Sequence, residues 1–446
     1  MSNTHQDEED QQEPGDMMLN HPVKEKWIQY GVISLGIWLV FSPMTFSYES
    51  IWLTWSDIIT GTVLVTLSTI TIRRNNPWAS YANGFVGFWL LMAPLVFHAP
   101  TAAAYLNDTL VGILVITFSI IVMMRMEMDG GAVPQGWSYN PSTAAQRAPL
   151  IALAIFGFIT SRYMAAYQLG YIDAVWDPVF GDGTRQILES QVSAAFPVSD
   201  AGLGAVAYAL EGLMGFMGDK TRWRTMPWMV TFFGIVVIPL GFVQVLLVIS
   251  QPILVGAWCT LCLLSAFGML WMISLSFDEV IAMGQLLKRR TEDDGVSLWH
   301  GFWMGGTLSE DDVGLDGETR DNRDRPAGMF WGVSTPWYLL GAMALGFWLM
   351  LSPTVFGTEG VLADANHLIG ALVVSFSVIA TAEPVRVFRY VNILLGAAVI
   401  VVPWVIGAPL LPALNATVAG ALLAGASVPR GTIRDQYGYW WPKYIR

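Results

Sequence analysis

The octapeptide GFWLMLSP at 346–353 has two close copies earlier in the chain, GIWLVFSP at 36–43 and GFWLLMAP at 87–94. Behind each copy comes a short loop, then a polar residue four positions before a glycine: Asp57 and Gly61, Asp108 and Gly112, Asn366 and Gly370. A degraded fourth copy reads GAAVIVVP at 396–403, with Asn415 and Gly420 behind it. Repeats of this length are the mark of helix pairs duplicated within a membrane fold. The proline is expected to end a helix at the interface, and the tryptophan to anchor it there. A transport pathway through broken helices calls for ionisable residues mid-span, and none is read in these units. The structural helix hairpin is therefore the reading adopted.

Composition agrees with a membrane protein. Hydrophobic residues make up 54% of the 446 and charged residues 13%, and mean hydropathy is +0.49. A soluble chain of this size carries far more charge. A span needs about 20 mostly apolar residues to cross a core of about 30 Å. That ruler gives twelve candidates: 28–46, 57–72, 78–97, 107–124, 148–168, 201–217, 227–249, 256–276, 336–356, 366–382, 389–407 and 415–428. The expected fold class is an all-α integral membrane protein of about 12 transmembrane helices, arranged as three four-helix modules. Residues 1–22 are polar and acidic, without the basic region or cleavage site of a signal peptide, so the spans themselves are expected to drive insertion. The net charge of −12 comes largely from that tail and from an acidic stretch at 309–324, and it argues against nucleic acid as a partner.

Positive charge orients the spans. Lys24 and Lys26, Arg73 and Arg74, Arg125, Lys220 to Arg224, Lys288 to Arg290, Arg386 and Arg389, and Arg430 to Arg446 all fall on one side if both termini are cytoplasmic. The loop at 169–200 and the start of the eighth span then face outward. The domain plan is a polar tail at 1–26, a repeat module at 27–125, a linker at 126–147 and a central block at 148–276. A polar cytoplasmic linker at 277–335, a second repeat module at 336–428 and a tail at 429–446 complete it.

The only two cysteines of the chain lie in the central block as Trp258-Cys259-Thr260-Leu261-Cys262. On a helix, residues i and i+3 share a face with Cβ atoms about 5–6 Å apart, close to disulfide geometry. Pro252 and Gly256 mark the helix start, so the pair is expected within the first turns, where a helix N-terminus favours a thiolate. Several readings compete. The pair can be a buried small hydrophobe. A zinc site needs four ligands, and no histidine or second cysteine pair is placed to help, so no metal is assigned. A static disulfide would close too short a loop to stabilise much. Redox cycling is the reading adopted.

The stretch DPVFGDGTRQILESQVSAAFPVSDAGLGAVAYALE at 177–211, followed by VGAWCTLCLLSA at 255–266, resembles the vitamin K epoxide reductase family over about 148–276. The repeat copies resemble the SPW repeat family over 27–125 and 336–428, with Ser42-Pro43 and Ser352-Pro353 as the signature step and Ala93-Pro94 in the second copy. The first resemblance implies a four-helix bundle around a quinone (ubiquinone or menaquinone) in a prokaryotic cytoplasmic membrane, with disulfide exchange at the outer face. It implies that Cys259 trades disulfides with a thioredoxin-like extracytoplasmic protein and that Cys262 faces the quinone. It also implies quinone-binding roles for Asp200, Tyr208 and Ser190. The plainer readings of these three are a helix N-cap, an interfacial aromatic and a turn former.

Two departures stand out. The loop between the first two spans lacks the family's second cysteine pair, with Asp182-Gly183 near the place where Cys-Gly is expected. Electron relay within the chain is therefore excluded. Ala266 stands where animal members carry a tyrosine, which argues against epoxide reduction in the strict sense. The expected activity is a membrane thiol–disulfide/quinone oxidoreductase. The alternative is a non-catalytic redox sensor or scaffold with a degenerate core, and a transporter is a third reading. The acidic outer loop, including Asp177, is expected to be a solvated face.

Overall fold

The computed structural model describes residues 26–75, 77–123, 133–306 and 326–438. The acidic tail, Lys24, Arg125, the acidic stretch from Glu310 to Asp316, Lys443 and Arg446 lie outside the described residues.

Four helices form the first module: α1 (Lys26–Thr45), α2 (Ile51–Arg74), α3 (Trp78–Val96) and α4 (Ala102–Met123). Each repeat folds as a hairpin that crosses where two glycines meet. A Cβ added to Gly61 of α2 would lie 2.4 Å from the carbonyl oxygen of Gly36 in α1, and one on Gly112 of α4 would lie 2.8 Å from that of Gly87 in α3. The last module repeats the device with α13 (Trp337–Phe356), α14 (Val361–Ile379), α15 (Val391–Val405) and α16 (Leu410–Ser427). There the distances are 2.5 Å for Gly370 against Gly346 and 2.6 Å for Gly420 against Gly396. Membrane helices lack a hydrophobic drive to associate, so glycine supplies the close backbone approach that dispersion requires. The degraded fourth copy keeps its glycines and keeps the crossing.

Two expectations for the repeats are corrected. The tryptophans do more than anchor: Trp38 Nε1 donates to Asn107 Oδ1 at 2.7 Å, Trp89 Nε1 to Ser56 Oγ at 3.1 Å and Trp348 Nε1 to Asn415 Oδ1 at 3.0 Å. An indole N–H in an apolar medium seeks an acceptor, and here the acceptor sits on a neighbouring hairpin. The units also contain ionisable residues, because α2 and α4 start five to six residues earlier than expected. Asp57 and Asp108 therefore lie a turn or more inside their helices, each 0% exposed.

The central block comprises α5 (Ala144–Gln168), the short α6 (Gly183–Leu188), α7 (Asp200–Phe216), the short α8 (Arg222–Thr225), α9 (Pro227–Ile235), α10 (Gly241–Leu254), α11 (Thr260–Glu292) and the short α12 (Leu298–Met304). A π-helical turn at Val236–Leu240, which contains Pro239, joins α9 to α10 as one continuous crossing. Among the described residues, eleven helices are long and apolar enough to cross a membrane. The twelfth expected span is α7, at 17 residues shorter than any of the eleven crossings.

The linkers prove partly structural. Helix α11 runs on past the expected boundary at 276 to Glu292. Its far half binds segments from both flanks. Arg222 and Glu279 form a buried ion pair at 2.5 Å, and Ser142 Oγ donates to Glu279 at 2.5 Å. Gln285 accepts from Trp137 Nε1 at 2.8 Å and donates to the Tyr437 carbonyl at 2.9 Å, while Tyr437 OH donates to Glu383 at 3.0 Å. These bonds gather 137–142, 222, 279–285, 383 and 437 at one end of the molecule, hereafter the basic end. Contacts at the opposite end, such as Tyr171 OH donating to the Ala99 carbonyl at 2.6 Å, bring the modules together around the cysteines.

Candidate active site

The cysteines are joined as a disulfide with a Cα–Cα distance of 5.2 Å. They do not share a helical face. Gly256, at φ +74°, turns the chain after α10, and α11 begins only at Thr260. Cys259 is the N-cap, extended at φ −110° and ψ 113°, and its sulfur accepts the N–H of Cys262 at 3.0 Å. Sulfur thus occupies the place where a serine or aspartate oxygen normally satisfies a free helix amide. Gln251 at the end of α10 accepts the Cys259 N–H at 3.3 Å. Cys259 is 0% exposed, whereas Cys262 is half-buried.

Helix α5 serves as a ruler for depth. From the cysteine end inward, Gln168 donates to Asp200 at 2.5 Å. One turn deeper, Met164 Sδ lies 4.0 Å from Cys259 Sγ and 3.7 Å from Cys262 Sγ. Next, Thr160 Oγ1 lies 2.9 Å from Ser265 Oγ, and Gly157 receives the ring of Tyr208, where an added Cβ would come within 2.3 Å. The disulfide therefore lies between the level of Asp200 and that of Tyr208.

The three residues named with the cysteines do not form one cluster. Asp200 is not the N-cap of α7; that role belongs to Ser199, whose hydroxyl accepts from Gly202 N at 2.9 Å. Asp200 accepts from Ser193 Oγ at 2.8 Å as well as from Gln168, which pins the loop to α5. Ser190 accepts from Ser193 N at 3.3 Å, a turn-forming contact. Tyr208 is no interfacial aromatic: it is 1% exposed, and its hydroxyl donates to the Ser265 carbonyl at 3.1 Å and accepts from Gln244 Nε2 at 2.8 Å. One turn further on, Glu211 is buried with neither carboxyl oxygen hydrogen-bonded among the described residues.

Asp177 is the residue that sequence reasoning misjudged most. It is no solvated acid. Its carboxylate accepts from the amides of Val179 (3.1 Å), Phe180 (2.8 Å) and Thr184 (3.0 Å), from Thr184 Oγ1 (2.6 Å), and from both the amide (3.3 Å) and the hydroxyl of Thr260. Burial works to raise the carboxyl, but the hydrogen bonds from Thr184, Thr260 and the Phe180 and Val179 amides outweigh it. They hold the group well below the usual carboxylate range. The Asp177-Pro178 step, a turn-initiating pair, was the one local signal of this role. Beside it, Phe180 stacks on Trp258 with ring centroids 6.0 Å apart, and Gly183 packs so closely that a Cβ would meet the Trp258 carbonyl oxygen at 2.0 Å. The other edge of Trp258 meets the His367 ring of α14 at 5.0 Å, and His367 Nε2 lies 2.9 Å from the Ile249 carbonyl.

Residues 148–277 match the vitamin K epoxide reductase family. The chain carries a vitamin K epoxide reductase family domain. On either side, residues 26–122 and 336–429 match the SPW repeat domain. No curated protein and no solved structure matched the chain. The vitamin K epoxide reductase domain contains both cysteines and the Asp177 loop, and its family points to a redox function within the membrane. The SPW domains are the membrane modules that hold it from both sides, and the second of them supplies His367 to the rim of the site.

Proposed function

We propose that the central domain is a quinone-linked thiol–disulfide oxidoreductase, with its cysteine end outside a prokaryotic cytoplasmic membrane and both termini inside. The gathering of basic residues at the opposite end supports that orientation. The electron donor is a thioredoxin-like dithiol. Its thiolate attacks Cys259 Sγ, forming a mixed disulfide and releasing Cys262. The second donor thiol then displaces Cys259, and the donor leaves as a disulfide. The two electrons and two protons now held by the dithiol pass to ubiquinone or menaquinone, which supplies the two-electron redox chemistry, and the disulfide is restored.

One observation carries the reading: the Cys259 sulfur sits at a helix N-cap and accepts the Cys262 N–H. A thiolate leaving from that position is stabilised by the free amide and the helix dipole. Cys262, the more open of the two sulfurs, is the one assigned to the quinone. Of the candidate quinone-binding residues, Tyr208 sits on the inner side of the pair, while Asp200 and Ser190 belong to the loop above it.

The test is reconstitution with each quinone and a reduced thioredoxin-like protein, following quinone absorbance. Wild-type turnover that disappears in Cys262→Ala supports the proposal. Absence of turnover with both quinones and several donors favours a non-catalytic redox sensor or scaffold, a reading that draws on the complete burial of Cys259.

A further inference from the structure

We propose that Asp177 is a positioning residue for the exchange reaction: its hold on Thr260 and Thr184 keeps Cys259 covered in the disulfide and, once the pair is reduced, disfavours the Cys259 thiolate until the carboxylate is displaced. The inference rests on the reading of Cys259 and Cys262 as an exchanging pair, and it concerns how that pair is kept silent.

Two independent contacts meet at one carboxylate. Thr260 is the first residue of α11, and its N–H is one of the amides a helix leaves free at its start. Asp177 takes that amide and the Thr260 hydroxyl, fixing a negative charge one residue from Cys259. A second thiolate charge there is disfavoured, so the Cys259 thiol of the reduced protein is held protonated. The same carboxylate takes the amide and hydroxyl of Thr184 in α6, anchoring the loop whose Ile187 and Leu188 wall in Cys259. Charge and cover thus depend on one residue.

The other charged or titratable groups on surrounding elements are differently engaged. On α6 and its flanks, Arg185 pairs with Asp182 at 3.0 Å and Glu189 at 3.8 Å, all three exposed. Tyr167 of α5 donates to Glu189 at 2.5 Å, Asp200 of α7 is held by Gln168 and Ser193, and His367 of α14 faces Trp258. None of them hydrogen-bonds to Thr260. A docking thiol protein that opens the loop would uncover the sulfur and free an amide for its thiolate in one motion, which restricts exchange to partners that fit the loop.

The experiment uses full-length reduced protein in nanodiscs with Cys262→Ser, measuring the rate of Cys259 alkylation by iodoacetamide against pH. Asp177→Asn removes the charge and keeps the size. Its alkylation midpoint should fall by about one pH unit, with roughly tenfold faster alkylation at pH 7. Thr260→Val weakens the cover and keeps the charge, so it should speed alkylation across the range with little change of midpoint. A profile for Asp177→Asn that superimposes on the parent overturns the proposal. If that variant does not fold, an unchanged rate in Thr260→Val does so instead. Alkylation needs neither quinone nor donor. A shifted midpoint without quinone turnover would therefore keep the role of Asp177 and remove the quinone reading.

Discussion

The first and last SPW modules share a skeleton and differ in what they bury. Each is two hairpins crossing at paired glycines. In the first, the positions four before the crossing glycines are Asp57 and Asp108, linked to Tyr48, Asn107 and Ser42. Among the described residues, Asp57 Oδ1 and Asp108 Oδ2 still lack a hydrogen-bond partner. In the last, the same positions are Asn366 and Ala416. Asn366 donates to Ser352 Oγ at 3.5 Å, and Ala416 asks for nothing. The architecture is therefore set by backbone approach and tolerates either filling. Carboxyls buried at a membrane helix pair without a cation are costly, so their presence in one module alone is not an architectural need.

The largest effect expected from this contrast is at the crossings. Gly61→Leu and Gly370→Leu should each destabilise by about 3 kcal/mol or more, since backbone rather than a movable side chain blocks the new atoms. Unfolding titrations in mixed micelles should give equal losses, and a large inequality would show that the modules are not mechanically alike. A middle effect is expected on converting one filling into the other. Asp57→Asn combined with Asp108→Ala should stabilise the protein by about 1–3 kcal/mol, because unpartnered buried acceptors are removed. A lower midpoint in the same titration would mean that the first module needs its carboxyls. The smallest effect is at His367, whose ring links the last module to Trp258 at the cysteine end. His367→Ala should cost about 1 kcal/mol, from a lost hydrogen bond and aromatic edge contact. It should also alter the emission of Trp258, measurable against a variant with Trp258 replaced.

The readability of the chain follows the range of the interactions. Crossing glycines recur at nearly constant distances behind the glycine that opens each octapeptide, so Gly36, Gly87 and Gly346 announced their hairpins locally. The apolar runs placed the spans, and only α7 fell below ordinary crossing length. What stayed hidden depends on partners far along the chain. Asp177 meets Thr260 across 83 residues, and Trp137 meets Gln285 across 148. No local pattern encodes either contact, so a clamp was read as solvated acid and a bound segment as linker. Glu211 was missed for a related reason: its burial comes from packing of α7 on α5, which burial of its apolar neighbours reveals and its own residue type conceals. The helical spacing of Cys259 and Cys262 also misled, because the first cysteine caps the helix instead of belonging to it.

Helix α11 has a mechanical consequence. At 33 residues it is a rod about 50 Å long. One end begins at the Cys259–Cys262 disulfide, and the other is gripped by Arg222, Trp137 and Tyr437, drawn from either side of the chain. A lever of that length converts a tilt of about 5° at one end into a displacement of about 4 Å at the other. The disulfide and the far end of the molecule are thus joined by a single unbroken helix.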